Sequence, residues 1–397
     1  MRSDLAMFGG LTYDFLCVKT LALTEVRQFT LRGAPFPHCG NDDVVLRIET
    51  AGVCGTDFHI YEGLSNYVSD ANGRPVSLRE RPQVLGHEFC ASVVEAGRSV
   101  PRAMVGQRVI VDQVLNCRSQ NRKPMCEFCD SGDSHQCEHG REIGITGLPG
   151  AFAEYVVVPA VNVIPVPDGV DPIEAVVVEP LGCVLHAIEK ARRGRSRYSF
   201  ESGRRIHRVL IAGGGPSGLL FVQVLRNVLG FSGDIVVADR KVRVLAAAEA
   251  LGASAVDVSR GDPADAILAR TGGAPFECVV EATGNGGVLG WVGRVARRQA
   301  TLVLYGAGHG DIPDGCLTPW QAKELYVLTS AGASGEIAAD GTPQTYAAAL
   351  DLIAERRIEA RGIVTHLYRG LEALPRAFAF DYRSPDFIKG VMVAHGS

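Results

Sequence analysis

Hydrophobic and polar positions follow two different patterns along the chain. In the first 165 residues, apolar and polar residues alternate in short runs that glycine and proline interrupt, as in Val44–Glu49. Alternation with a period of two predicts strands with one buried face. From Arg208 onward, short apolar runs alternate with longer helical segments. That rhythm predicts a parallel, doubly wound sheet, so the fold class is expected to be α/β.

The same patterns predict individual elements, and the length of 397 residues favours two domains. Helices are predicted at Leu219–Leu229 and Tyr346–Ala354. The predicted strands are Leu16–Lys19, Val44–Thr50, Cys90–Glu95, Arg108–Asp112, Ala151–Val158, Ala160–Pro165, Arg208–Ala212, Asp234–Ala238, Cys278–Glu281, Thr301–Tyr305, Tyr326–Thr329 and Lys389–Val393.

Composition excludes several classes of partner. A net charge of −4 without a basic tail gives no reason to expect nucleic acid. No apolar run reaches the length of a membrane helix, and the N-terminal residues lack a signal peptide, so a cytoplasmic protein without membrane partners is expected. Eleven cysteines fit reduced thiols and metal ligands better than a disulfide framework.

The stretch Val53–His59 and the later Gly86-His87-Glu88 contain candidate zinc ligands. Cys54, His87 and an acid would form a mixed set of three protein ligands, which leaves a coordination position open for water or substrate. Taken alone, the same residues also fit a buried cysteine and a core histidine. Asp57 is expected to hold the His87 ring by a hydrogen bond.

Thr56 and His59 follow Cys54 at a spacing that suits proton transfer. A hydroxyl beside a metal can pass the proton of a bound alcohol toward an imidazole near the surface. Thr56 and His59 are therefore predicted to be catalytic.

With these residues the chain resembles the zinc-dependent medium-chain alcohol and polyol dehydrogenases, closest to the sorbitol, threonine and glucose dehydrogenase branch. The resemblance covers about residues 15–395 and includes Ala153-Glu154-Tyr155 and Val178-Glu179-Pro180-Leu181. It implies a GroES-like catalytic domain at 1–185, a Rossmann NAD-binding domain at 186–334 and a return segment at 335–397 that completes the catalytic domain. It also implies that Glu179 approaches the metal, directly or through water, so that either Glu88 or Glu179 is the acidic ligand. A homodimer or homotetramer is expected by analogy.

A second group of cysteines predicts a closed structural zinc site. Related enzymes carry a CxxCxxCx7C lobe, and here Lys123 occupies the expected first position. Cys117 is predicted to take that role across an inserted loop, Arg118–Met125. Two alternatives stay open, namely His135 as the fourth ligand and a lobe without metal. The predicted ligands are Cys117, Cys126, Cys129 and Cys137.

A glycine-rich turn between a predicted strand and a predicted helix has the spacing of a dinucleotide-binding fingerprint. Asp239 ends the next strand, where its carboxylate would accept hydrogen bonds from the ribose hydroxyls. Its negative charge would repel a 2′-phosphate, so NAD is favoured over NADP. Arg240 and Lys241 beside it leave NADP open, and the resemblance adds Thr283 to the cofactor contacts. The residues of the turn are Gly213, Gly214, Gly215, Pro216, Ser217 and Gly218.

Two further segments have two readings each. The polar segment 62–81 is either a wall of the substrate pocket or a plain surface insertion. The segment Arg192–Arg208 contains seven arginines and one acid. It is either a binding site for an anionic substrate group or a partner, or a solvated loop between a helix and a strand.

Together these features predict a zinc-dependent, NAD-linked dehydrogenase that oxidises a secondary alcohol. Its expected substrate is a small polar alcohol such as a polyol, sugar, aminocyclitol, amino sugar or hydroxy amino acid. Two rivals are a metal-free NADP-linked reductase of the same fold and a dinucleotide-binding protein without turnover.

Overall fold

The computed structural model describes residues 17–201, 203–333 and 344–395. Antiparallel strands dominate the first 165 residues, as the alternating pattern predicts. β3, β5, β6, β9 and β10 form a seven-stranded sheet with β17 and β18 from the end of the chain, and β1, β2 and β4 form a smaller sheet. A separate pair is formed by β7 and β8. These strands are β1 Cys17–Glu25, β2 Gln28–Pro35, β3 Asp43–Gly52, β4 Gln83–Val84, β5 Glu88–Ala96, β6 Arg108–Val111, β7 Val114–Leu115, β8 Arg141–Glu142, β9 Tyr155–Pro159, β10 Val163–Pro165, β17 Val364–Arg369 and β18 Lys389–Val393.

The region between these parts forms a six-stranded parallel sheet in the order β13-β12-β11-β14-β15-β16. The order reverses between β11 and β14, and a doubly wound sheet binds its ligand at such a point, beyond the carboxyl ends of the strands. The predicted fold class, a GroES-like domain with a Rossmann domain, is confirmed. The strands are β11 Arg208–Ala212, β12 Asp234–Asp239, β13 Ser254–Asp257, β14 Phe276–Glu281, β15 Ala296–Leu304 and β16 Tyr326–Thr329.

Helices connect the parallel strands and link the two sheets. The longest, α4, runs between the two sheet regions, and its buried face includes Leu181, Val184 and Ile188. The helices are α1 Gly55–Tyr61, α2 Glu127–Asp130, α3 Pro172–Ala175, α4 Val178–Arg193, α5 Pro216–Gln223, α6 Val242–Ala250, α7 Pro263–Arg270, α8 Gly286–Val295, α9 Leu317–Ala322, α10 Gln344–Ala354 and α11 Pro375–Ala379.

Several predicted elements differ from the observed ones, among them β15, which begins at Ala296 instead of Thr301. β9 begins at Tyr155 instead of residue 151, because the backbone N–H groups of Ala151 and Phe152 donate to Gly86 and Leu85 outside that strand. Residues 160–162 form one turn of 3₁₀ helix before β10, and the Asn162 side chain holds that turn against Asp112 and Val114. The helix predicted at Leu219–Leu229 begins earlier, at Pro216, and becomes a π turn at Val224–Val228.

The end of the chain reaches the first sheet, where β18 pairs with β3 and Val391 faces Gly52. Leu16 and the predicted domain boundary at 334/335 lie outside the described residues, and the boundaries stay predictions. Within the described ranges, no helix combines the length and apolar character that crossing a membrane requires.

Candidate active site

Three side chains with metal-ligand chemistry meet where β3, α1 and β5 join. Cys54 is the N-cap of α1, His87 precedes β5, and Glu88 begins it. One ligand atom from each of the three lies within 4.8 Å of the others. Gly52 faces Glu88 across the strand pair, where a Cβ would lie 2.3 Å from Glu88 Oε2. A side chain at position 52 would therefore displace the Glu88 carboxylate from this position.

Asp57 organises this cluster through the backbone instead of through the His87 ring. Its Oδ2 accepts the Cys54 N–H at 2.8 Å, and its Oδ1 accepts the Gly86 N–H at 3.3 Å. The expected hydrogen bond to His87 is not formed, because Asp57 Oδ1 lies 3.6 Å from Nδ1. Asp57 thus fixes both chain segments that present the ligands and adds a negative charge beside the ring.

The electrostatics of the cluster favour a bound cation. Burial, followed by the charge of Glu88, raises the pKa of the Cys54 thiol. Burial opposes a charge on His87, but Asp57 and then Cys54 raise its pKa well above the usual value. His87 Nδ1 is buried without a hydrogen-bond partner. Sulfur, nitrogen and oxygen donors gathered in one buried cluster are the environment that zinc prefers, so these residues fit zinc.

Glu179 stands at the edge of this cluster. It lies in the first turn of α4 and lines the same cavity, but it is outside the group whose ligand atoms lie within 4.8 Å. Its Oε1 accepts Gln113 Nε2–H at 2.9 Å and the Cys183 thiol at 3.3 Å. Burial and Glu88 raise its pKa, whereas His87 opposes this rise.

The predicted cysteine lobe brings four sulfurs together. Cys137 Sγ lies 3.7 Å from Cys117 and 3.8 Å from Cys126, and all four ligand atoms lie within 4.8 Å of one another. Zinc–sulfur bonds of about 2.3 Å in a tetrahedron require sulfurs about 3.8 Å apart. The lobe therefore has tetrahedral thiolate spacing. His135 lies outside the group and packs against His186 at a ring-centroid distance of 4.4 Å.

The glycine-rich turn has the shape that a pyrophosphate requires. Gly213 has a φ of +96°, and a Cβ on Gly218 would lie 2.1 Å from the Gly213 carbonyl oxygen, so both positions need glycine. Nothing lies within 4 Å of a Cβ on Gly215, at the N-cap of α5, which leaves room for a phosphate there.

Asp239 is held at the end of β12 by the backbone. Its Oδ2 accepts the Gly214 N–H at 2.8 Å, and its Oδ1 accepts the N–H groups of Arg240 and Lys241. The Lys241 ammonium is engaged elsewhere, since it donates to the carbonyls of Tyr382 and Phe387 at 2.8 and 3.1 Å. Arg240 is therefore the exposed base immediately beside Asp239.

The metal cluster and the cofactor turn share one cavity of about 390 Å³. Thr56 and His59 line it from one face of α1. On the side of the parallel-sheet region, the start of α5 and the loop after β14 line it with Gly215, Pro216, Ser217 and Thr283. Gly213, Gly218, Asp239 and Arg240 are not in its lining. The cavity thus places a candidate metal site next to the start of the cofactor helix.

The surroundings of the His59 imidazole favour its neutral form. Its Nδ1 is buried without a hydrogen-bond partner, and burial followed by the charge of His309 lowers its pKa. His309 is itself paired, with Nε2 at 2.6 Å from Glu281 Oε2. Glu281 also accepts the backbone N–H of Thr283 at 2.8 Å. A buried carboxylate therefore ties the Thr283 loop to His309, whose charge acts on His59.

The structure distinguishes between the two interpretations of segment 62–81 and of segment Arg192–Arg208. From the 62–81 segment, Tyr67 lines the cavity, so part of this insertion is a pocket wall. In the arginine-rich segment, Arg192 pairs with Glu189 and Glu201, and Arg208 pairs with Glu277. These local pairs fit the solvated-loop reading better than an anion site.

Comparison with known proteins places the chain in a family. Residues 40–168 match the alcohol dehydrogenase GroES-like domain, and residues 216–355 match the zinc-binding dehydrogenase domain. An L-threonine 3-dehydrogenase from Francisella philomiragia subsp. philomiragia is 32% identical over 76% of this chain and 80% of its own. The chain belongs to the zinc-dependent medium-chain alcohol and polyol dehydrogenase family.

As a family member, the chain is an oxidoreductase of the alcohol dehydrogenase type. It is similar to L-galactonate-5-dehydrogenase of Escherichia coli K12, with 29% identity over 94% of this chain and 98% of the relative. Among solved structures, a protein described as a zinc-binding dehydrogenase from Sinorhizobium meliloti 1021, bound to NADP, has a TM-score of 0.74. Its identity is 28%, over 95% of this chain and 99% of that chain.

Several residues of the site were not found from the sequence. Lys389 left a usable signal, because it is a single charged residue in the otherwise apolar strand Lys389–Val393. Cys183 lies one helical turn after Glu179 on α4, beside the motif at 178–181. The others carry no local motif, because distant segments bring them to the cavity or to its supporting contacts. They are Gln113, Glu142, Glu281, Tyr305, His309 and Tyr346.

Proposed function

We propose that this protein is a zinc-dependent, NAD-linked dehydrogenase that oxidises a secondary alcohol of a polar small molecule to the ketone. The observation that carries the proposal is the shared cavity, in which the Cys54, His87 and Glu88 donors face the cofactor turn. When bound, zinc would lower the pKa of the substrate hydroxyl and NAD would accept the hydride. Cys54, His87 and Glu88 would hold the zinc, with Glu179 beside them.

The chain's own residues would move the proton and orient the substrate. Thr56 and His59 lie three residues apart on α1, so both side chains lie on one helix face. The Thr56 hydroxyl would take the proton from the substrate oxygen and pass it toward the neutral His59 ring. Tyr305, half-buried beside Ser217, would close the cavity on the cofactor side and exclude water.

The substrate class follows from the polar lining. The Glu142 carboxylate lines the cavity, and burial raises its pKa. No hydrogen bond to this carboxylate is formed within the described ranges, so it can accept one from a second hydroxyl or an amine of the substrate. We therefore favour a polyol, sugar, aminocyclitol, amino sugar or hydroxy amino acid. The names of the galactonate and threonine dehydrogenases fit this class.

NAD is the proposed cofactor because the Asp239 carboxylate occupies the position that a 2′-phosphate would approach. Lys241, which could have balanced that phosphate, is bound to two carbonyls instead. The NADP of the Sinorhizobium relative is a property of that protein.

A homodimer or homotetramer is also proposed. β16 ends the parallel sheet, and Tyr326 and Val327 on it are exposed. An exposed apolar edge strand is a template for pairing with a second copy of the chain. Light scattering of the wild type and of Val327→Lys tests this, and a monomeric wild type would contradict it.

The central experiment measures zinc content and NAD reduction on a panel of polyols, amino sugars and hydroxy amino acids. Activity should disappear on chelation and return with zinc, and His87→Ala should bind NAD but turn over no substrate. Reduction of enones with NADPH by metal-free protein would support the metal-free reductase. NAD binding without turnover on any substrate would support the non-catalytic protein.

A further inference from the structure

A buried chain of hydrogen bonds connects Glu179 to a residue far along the sequence. Gln113, between β6 and β7, donates from Nε2 to Glu179 Oε1 at 2.9 Å. The Tyr346 hydroxyl, on α10, donates to Gln113 Oε1 at 2.5 Å. Tyr346 and Gln113 are 0% and 2% exposed, so the chain is buried.

The order of donors and acceptors in this chain is determined. Burial, followed by the charge of Glu179, raises the pKa of Tyr346 well above its usual value, so its hydroxyl keeps the proton that it donates. If the Gln113 amide were reversed, its carbonyl would face the Glu179 carboxylate, and two acceptors would oppose each other. By donating to Oε1, the Tyr346 hydroxyl holds the amide in the orientation that gives Glu179 a donor.

The two carboxylate oxygens of Glu179 differ in their hydrogen bonds. Oε1 accepts from both Gln113 and Cys183. Oε2 accepts no hydrogen bond from any residue that the structure describes, although Glu179 lines the cavity with Cys54, His87 and Glu88. Oε2 is thus the oxygen left available to the metal cluster, or to a water on it.

We propose that Tyr346 is a positioning residue, which acts through Gln113 to hold Glu179 oriented with Oε2 free for the metal cluster. Tyr346 itself is not in the cavity lining, and its hydroxyl reaches Glu179 through Gln113. The proposal rests on the proposed function, because it assumes a metal at Cys54, His87 and Glu88.

The test is the zinc affinity of Tyr346→Phe, which keeps the buried ring and removes the hydroxyl. Chelator-stripped protein is titrated with zinc against a competing chelator, and Cys54→Ser identifies which binding step belongs to the catalytic cluster. We expect that step to weaken by about 10-fold or more, as loss of groups that orient metal ligands does. The cysteine lobe should bind as before and serves as the internal control. Tyr368→Phe is the matched control, because its hydroxyl bonds Asp381 at 2.9 Å, a contact outside this chain.

Gln113→Leu provides a second variant. It should weaken the same step, and the double variant should be no weaker than Gln113→Leu alone, since both changes break one chain. The proposal is overturned if Tyr346→Phe behaves like Tyr368→Phe, or if its effect adds fully to that of Gln113→Leu. If the wild type itself shows no zinc step that Cys54→Ser removes, the proposed function fails. A normal wild-type step that neither variant changes would overturn the positioning role alone.

Discussion

The Lys389 ammonium forms an ion pair with the Glu88 carboxylate, and each side chain is only 1% exposed. Lys389 also donates to the Val53 carbonyl at 3.3 Å, next to Cys54. The last strand of the chain thus supplies the countercharge for an acidic residue of the metal cluster. A metal at the cluster would supply positive charge to the same carboxylate.

Replacing Lys389 should therefore destabilise the metal-free protein more than the zinc-loaded protein. Lys389→Met leaves Glu88 buried without its partner, which typically costs about 3–5 kcal/mol. Urea unfolding with and without chelator measures the free energy of unfolding in both states. Lys19→Met is the control, because its pair with Glu372 is exposed (53% and 45%) and should contribute at most about 1 kcal/mol. Equal small losses in both variants would contradict the prediction.

The cysteine lobe should lose its zinc when one thiolate is removed. Cys117→Ser is expected to lower the zinc content from two ions per chain to one, because the two candidate clusters are separate. The thermal midpoint should fall as well, since structural zinc contributes directly to folding. Elemental analysis with Cys39→Ser as control measures this. An unchanged zinc content would mean that Cys117 is not a ligand.

Cofactor preference should depend on Asp239. Asp239→Ser removes charged hydrogen bonds to the ribose, each worth about 1.5–3 kcal/mol, so kcat/KM with NAD should fall by about 10-fold or more. It also removes the repulsion of a 2′-phosphate, so the NADP to NAD ratio of kcat/KM should rise. Asp234→Ser, at the other end of β12, is the control. The prediction fails if this ratio does not change.

The pKa of His59 should depend on His309. Burial lowers this pKa, and the charge of His309 lowers it further, so His309→Gln should move it back toward 6.5. Because His59 must be neutral to accept a proton, a higher pKa shifts the acid limb of the kcat/KM profile to higher pH. NMR titration of the histidine rings measures the pKa directly, with His366→Gln as control. A His59 pKa equal to that of the wild type would show that His309 has no influence.

Much of the fold could be predicted because its causes are local. The alternating runs predict the antiparallel strands, and the glycine turn before Leu219–Leu229 requires a strand on one side and a helix on the other. Residues 151–154 and 160–162 misled this reading. The backbone of 151–154 divides its hydrogen bonds among Leu85, Gly86 and the strands β1 and β3, and Asn162 bonds the β6–β7 segment through its side chain. Such pairing depends on segments far away in sequence.

By itself, the sequence determined the residue types of the site. Cys54, His87 and Glu88, the four cysteines and Asp239 are recognisable because metal and ribose chemistry demand those side chains at characteristic spacings. Only the tertiary structure decided what surrounds them. The Lys389–Glu88 pair, the charge of His309 that acts on His59, and the Tyr346–Gln113 hydrogen bond join residues that are 301, 250 and 233 positions apart. Chain packing creates these contacts, and no local pattern of hydrophobicity or spacing encodes which distant polar group will fill a buried position.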